Sequence, residues 1–168
     1  MKPRIKDGWV RLEGAFGAAE VRTLADFGPI EKLSFTKAPR LTHTVARHLS
    51  GLTSVRQLWL WCDVTRGALK HVLAIPGLVT LDVLCLRGRG NPPSFRTARS
   101  LDTFRCPHGS TARDLLAISE SRTLRELGVQ NVTLTPEAID TLIAMPTGEL
   151  MLDVRRAGLR LRLTPAYG

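Results

Sequence analysis

Apolar residues in this chain recur in short alternations, apolar–any–apolar, that return every 23 to 25 residues. The pairs are Val10/Leu12, Leu33/Phe35, Leu58/Leu60, Leu81/Val83, Phe104/Cys106, Leu127/Val129 and Leu152/Val154, with successive offsets of 23, 25, 23, 23, 23 and 25 residues. In five of the seven units an aliphatic residue stands three places ahead of the pair: Ile30, Val55, Leu78, Leu101 and Leu124. The unit therefore reads L-x-x-L-x-L, followed by a polar turn. Each alternation of period two predicts a strand. A second apolar patch with helical spacing follows in four units: Ala18, Val21, Leu24 and Ala25; Leu69, Val72 and Leu73; Leu115 and Ile118; Ile139, Leu142 and Ile143. Each predicts an amphipathic helix of about two turns. Thr135-Pro136-Glu137 supplies an N-cap, a proline at the first helical position and an early acid, while Thr65 and Thr111 are caps for two other helices. Pro76 and Pro146 close two helices in equivalent places. Residues 87–100, RGRGNPPSFRTARS, hold adjacent prolines and little periodicity, so a loop or single turn replaces a helix there.

On these units the sequence resembles the leucine-rich repeat family, in its ribonuclease-inhibitor-like form with a helix in each repeat. LTSVRQLWLWCDVTRGALKHVLAIPG and TLRELGVQNVTLTPEAIDTLIAMPTG carry the resemblance best, and it extends over roughly residues 7–156. The resemblance implies an α/β solenoid with a parallel sheet on the concave face and short helices on the convex face. No single repeat buries its own apolar side, and stacking about seven makes one continuous core, so residues 1–168 are read as one domain. The asparagine or cysteine usual in the turn after the strand is missing. Ala38, Asp63, Leu86, Gly109, Val132 and Ala157 stand there, which predicts irregular turns. Leu159-Arg160-Leu161-Arg162-Leu163 alternates and lies too close to the seventh pair to be another repeat. A hairpin cap near residues 152–164, turning through Arg156-Ala157-Gly158, covers the final sheet edge.

Composition narrows the picture. Hydrophobic residues make up 43% and charged residues 23% of the 168, the balance of a globular chain. No stretch approaches the ~18 uninterrupted apolar residues of a membrane span. MKPRIKDGWV has the charge of a signal peptide without its apolar run. The expected location is the cytoplasm, and the odd count of three cysteines without CxxC spacing argues against a secreted disulfide framework. The net charge of +9 favours acidic partners without choosing among them.

With the paired residues pointing inward, three columns point out of the sheet. Before the pair stand Trp9, Lys32, Gln57, Thr80, Thr103, Glu126 and Met151. Between its members stand Arg11, Ser34, Trp59, Asp82, Arg105, Gly128 and Asp153, and after it Glu13, Thr36, Trp61, Leu84, Pro107, Gln130 and Arg155. All three tryptophans fall on this outward set. Trp59, Trp61 and Leu84 are expected to form an apolar anchor flanked by Asp82, Arg105 and Asp153, the composition of a binding hot spot. The competing explanation is that the rings cover sheet or pack beneath a terminal segment, and Trp9 suits it best. The partner-binding candidates are thus Trp9, Arg11, Trp59, Trp61, Asp82, Leu84, Arg105, Asp153 and Arg155.

Chemistry finds little footing. The histidines, His43, His48, His71 and His108, form no HExxH, and no nucleophile elbow or phosphate-cradling glycine loop occurs. Asp82 beside Arg105 and near Asp153 reads as a solvated ion pair or a partner contact on an open sheet, not as an acid/base site. Cys62, Cys85 and His108 fall on consecutive strands at ladder positions, where a zinc ion or a reversible Cys62–Cys85 disulfide competes with two inert thiols. No fourth zinc ligand is evident, and no metal or other cofactor is expected. Arg87, Arg89, Arg96 and Arg99 form one arginine cluster; Arg155, Arg156, Arg160 and Arg162 form another. The expected function is a non-enzymatic module that binds a folded protein with an acidic surface through its concave sheet, in its most specific form an inhibitor or a bacterial immunity protein that neutralises a toxin. The alternative is a nucleic-acid-associated protein using the arginine clusters.

Overall fold

A computed structural model of the chain describes residues 4–6, 8–130, 132–145, 149–154 and 159–163. Among the described residues it is a mixed α/β structure built on one sheet of nine strands whose spatial order is their chain order. The strands are β1 (Arg4–Lys6), β2 (Trp9–Glu13), β3 (Lys32–Leu41), β4 (Gln57–Thr65), β5 (Thr80–Arg87), β6 (Thr103–Cys106), β7 (Glu126–Gln130), β8 (Glu149–Val154) and β9 (Leu159–Leu163). From β2 to β8 every pairing is parallel. Strands joined in parallel need a crossover, and the residues between them supply it as short helices. These are α1 (Ala18–Arg22), α2 (His43–Ala46), α3 (Arg66–Val72), α4 (Ala112–Ile118) and α5 (Pro136–Ile143).

The inward pairs do what their spacing predicts. Leu33, Leu58, Leu81, Phe104 and Leu127 stand opposite one another across five strands, and all are fully buried. Val21, Leu69, Val72, Leu115, Ile118 and Leu142 come up from the helices into the same core. Three caps form as read: Thr65, Thr111 and Thr135 accept from the backbone N–H of Ala68 (3.1 Å), Asp114 (3.3 Å) and Ala138 (3.2 Å). Residues 87–100 contain only a single 3-10 turn, Phe95–Thr97. Phe95 compensates for the missing helix by burying its ring edge-on against Phe104, 5.1 Å between centroids.

The seventh pair needs correction. Leu127 and Val129 face Leu150 and Leu152, so Leu152/Val154 is displaced by two residues and the last offset is 23, not 25. Glu-Leu-Met-Leu-Asp-Val contains two overlapping alternations, and period two alone cannot choose between them. β9 does pair antiparallel with β8, as the cap predicts, while the turn through Arg156-Ala157-Gly158 lies outside the described residues. β1 does the same to β2 at the opposite edge, where the periodicity gave no signal.

The turns after β3, β4 and β5 also explain the missing asparagine. These strands do not end at the pair but continue past an irregularity, Arg40 facing Asp63 and Asp63 facing Cys85, then Leu41 facing Val64 and Val64 facing Leu86. Backbone groups that an asparagine ladder would satisfy are taken by this second stretch of sheet. Leu41, Val64 and Leu86, all buried, replace polar turn side chains with core. The two extra residues of the 25-residue offset between Leu33 and Leu58 lie in this irregularity: Lys37, Ala38 and Pro39 stand against the single residue Cys62. Lys37 takes a left-handed backbone conformation, φ 54°, to turn the bulge.

Candidate functional site

The face opposite the helices carries the outward columns. On β2, β3 and β4 they form an open recess of about 770 Å³ whose lining includes Trp9, Arg11, Ser34, Lys37, Trp59 and Trp61. Its shape follows from one small residue. Ser34 stands between Arg11 and Trp59 in the cross-strand register and is 2% exposed. Because it adds almost no height, the rings of Trp9 and Trp59 close over β3 and meet at 5.8 Å, tilted by 40°. The Trp9 indole N–H donates to the Ser34 hydroxyl at 3.4 Å. The Arg11 guanidinium lies 5.3 Å from the Trp9 ring centre, within cation–π range. Lys37 holds Glu13 at 2.5 Å along the rim.

Trp61 is set apart by the bulge in β4. Leu60 faces Val83 and Asp63 faces Cys85, so Trp61 and Cys62 together stand against the one residue Leu84. Period-two alternation runs on through the irregularity and puts Trp61 outward and Cys62 inward. Trp61 is 53% exposed and Leu84 36%, whereas Cys62 is buried. The irregularity also removes the proposed ligand ladder: Asp63, not Cys62, pairs with Cys85, although Cys85 does bridge to His108. Burial pushes the Cys62 and Cys106 thiols each up to about 11, and the Cys85 thiol is raised by the same cause. Among the described residues no cluster of three or more histidine, cysteine or acidic side chains is placed to hold a metal ion.

The sites read from the sequence divide into three groups. Trp9, Arg11, Trp59 and Trp61 line one recess, and Asp82, Leu84 and Arg105 continue the face on β5 and β6. Asp153 does not join them. It faces Gln130 on β7 and lies three strands from Asp82, on the order of 14 Å at the usual strand spacing. Arg155 lies outside the described residues. Arg105 reaches Asp82 at 3.8 Å but is held more closely by Glu126, at 2.6 Å, by lying across Gly128. Burial raises the Asp82 carboxyl above its ordinary range, outweighing the pull of Arg105. The face is thus polarised: Arg11, Lys32 and Lys37 against Glu13 on β2 and β3, then Asp82 and Glu126 against Arg105 farther along.

Sequence reading missed Ser34, Thr36 and Lys37 as recess residues, although the first two stood in the outward columns. It also missed a contact on the helix layer: His43 Nδ1 and His71 Nε2 are 3.1 Å apart. Nothing in residue spacing signals that pair, since 28 residues separate the two. No helix among the described residues is long and apolar enough to cross a membrane. The chain matches no protein-family model, and no curated protein matches it.

Proposed function

We propose that this chain is a protein-binding module, a solenoid of the leucine-rich-repeat type that holds its partner against the sheet face opposite the helices. One observation carries the proposal: three tryptophans meet in an open recess that no described part of the chain covers. Tryptophan and arginine are the side chains that dominate protein–protein hot spots. Here Trp9 and Trp59 are already held against each other, Trp9 also by Ser34 and Arg11, so those two rings lose little rotamer freedom on binding. Arg11, Lys32 and Lys37 beside them suit an acidic partner surface. The ribonuclease-inhibitor-like pattern of the repeats extends the proposal to an inhibitor that neutralises a toxin by covering it.

The test is affinity capture from the host's own extract by immobilised wild type and by Trp61→Ala, with washes at low and high salt. A partner retained by wild type at high salt and lost by a folded Trp61→Ala protein supports the proposal. A partner that binds both proteins equally places the interface elsewhere.

A further inference from the structure

A row of arginines crosses the end of the sheet at which the chain enters its parallel strands. Arg99 and Arg122 occupy equivalent positions, each four residues ahead of a strand, β6 and β7. The two segments are fastened side by side: the Thr123 hydroxyl donates to the Leu101 carbonyl at 2.8 Å, and the Arg125 N–H to the Asp102 carbonyl at 2.8 Å. Arg96, Arg99 and Arg122 line one open recess of about 340 Å³. Arg122 and Arg125, with Ser100, Thr123 and the acid Asp102, line a second of about 340 Å³, and Arg122 and Thr123 belong to both. The two recesses form one track across adjacent repeats.

The acids beside the track are already engaged. Asp102 lies 3.5 Å from Arg125, and Glu120 takes Arg96 at 3.8 Å and the Ser94 hydroxyl at 2.5 Å. Both ion pairs are exposed and therefore weak. The guanidinium groups of Arg99 and Arg122 make no ion pair or hydrogen bond among the described residues. The arginine run of residues 87–100 is divided by the fold. Arg87 stays at the far end of β5, 3.1 Å from Asp63, while Arg96 and Arg99 return to join Arg122 and Arg125 from the next repeat.

We propose that this track binds the phosphodiester backbone of a nucleic-acid duplex, separately from the tryptophan recess. Planar guanidinium forks match phosphate oxygens two at a time. A row at strand spacing, about 4.8 Å per step, meets a succession of phosphates, whereas one enclosed pocket would select a single phosphate. No exposed aromatic side chain lines either recess, since Phe95 is buried, so the track offers single-stranded bases nothing to stack on. Contact is with the backbone, positioning without reading sequence.

The experiment measures affinity for a mixed-sequence DNA duplex over a salt series, for wild type and three variants. Arg99→Gln/Arg122→Gln removes the two unengaged guanidinium groups. Arg22→Gln/Arg40→Gln removes the same charge from exposed sites on other elements, and Trp61→Ala alters the other face. The Arg99/Arg122 variant should lose about two in the slope of log affinity against log salt, about one per phosphate contact. The Arg22/Arg40 variant should keep most of the wild-type slope, and Trp61→Ala all of it. An equal loss in both double variants would mean that the general field of a +9 chain is being measured, and overturns the proposal. Inorganic phosphate that binds wild type but not the Arg99/Arg122 variant, while the duplex binds neither, would show a site for one phosphate group and overturn it as well. Because the protein-binding reading is tested by Trp61→Ala, either proposal can fail without the other.

Discussion

Arg66 and Asp114 meet in a two-pronged ion pair across 48 residues of sequence: Nε donates to Oδ1 at 2.8 Å and Nη2 to Oδ2 at 2.6 Å. Their side chains are 9% and 2% exposed. The pair joins the first turn of α3 to the first turn of α4 across the repeat that lacks a helix. Arg66 also donates to the carbonyls of Gly88 and Gly109, and Asp114 caps its own helix through Thr111. A guanidinium so placed substitutes hydrogen bonds for the packing that a helix would have supplied. Removing one partner leaves a buried charge unmatched, so Arg66→Ala or Asp114→Ala should each lose ~3–5 kcal/mol in urea unfolding. A loss below ~1 kcal/mol would show that water replaces the missing partner.

Two glycines near that pair separate backbone strain from collision. Gly88 and Gly109 have φ of 88° and 81°, both left-handed. A Cβ on Gly88 would meet open space, whereas one on Gly109 would lie 2.1 Å from the Leu86 carbonyl oxygen. Gly88→Ala should therefore cost only the ~1–2 kcal/mol of the unfavourable conformation. Gly109→Ala should cost clearly more, because backbone has to move. Equal midpoints in thermal unfolding would refute the ranking.

Neighbouring residues on β4 should behave in opposite ways. Leu60 has no exposed surface, and Leu60→Ala should lose ~2–5 kcal/mol. Trp61, more than half exposed, should cost little stability when cut to alanine, roughly 0.5 kcal/mol. Denaturant midpoints of the two variants decide it. A Trp61→Ala protein as unstable as Leu60→Ala would make the ring a structural element.

The helix layer should weaken in acid. His71 is held below its ordinary value of 6.5 first by burial, then by His43, Lys70 and Arg47. His48 is lowered by burial, Arg22 and Arg47, and it accepts from Arg47 Nε at 3.4 Å. Because the folded protein holds these protons less tightly than the unfolded chain, stability is complete above the unfolded value and declines as pH falls below about 6.5. Melting temperatures should drop between about pH 7 and pH 5, and His71→Gln should flatten part of that drop. A midpoint that rises over the same interval would reverse the sign and refute the argument.

Alkylation provides a simple check on the bulge. With Cys62 and Cys106 each raised to about 11, and Cys85 raised and buried, native protein at mildly alkaline pH should react slowly with iodoacetamide. Unfolding should make all three thiols reactive. Fast modification of the native protein would show a sheet that opens around β4.

What the sequence discloses is mainly what a repeating pattern can encode. The inward pairs, the threonine caps and the lone turn in residues 87–100 were legible because each rests on local spacing or on one residue's chemistry. The outward tryptophans were legible for the same reason: parity in a strand settles the face. Relations set by register were not. Parity held for the seventh strand while position slipped by two, which put Met151 in the row of Asp82, Arg105 and Gly128 and moved Asp153 two residues along the strand. The extra residue in β4 broke the Cys62–Cys85 alignment, and only the pairing beyond it reveals the shift. Arg66–Asp114 and His43–His71 join residues 48 and 28 apart, and spacing alone does not say which side chains of two separate helices meet.

The antiparallel strands at the two edges, β1 and β9, have a consequence for growth of the sheet. A parallel edge offers its hydrogen-bonding groups in the pattern that another copy of the same repeat would complete, so such a stack has no intrinsic length. Reversing strand direction at each margin changes that pattern, and a further repeat arriving there meets a mismatched template. A unit added between existing ones keeps parallel neighbours on both sides. The molecule is therefore extensible from within, where an inserted repeat meets parallel neighbours on both sides, and it presents a reversed strand at each described margin.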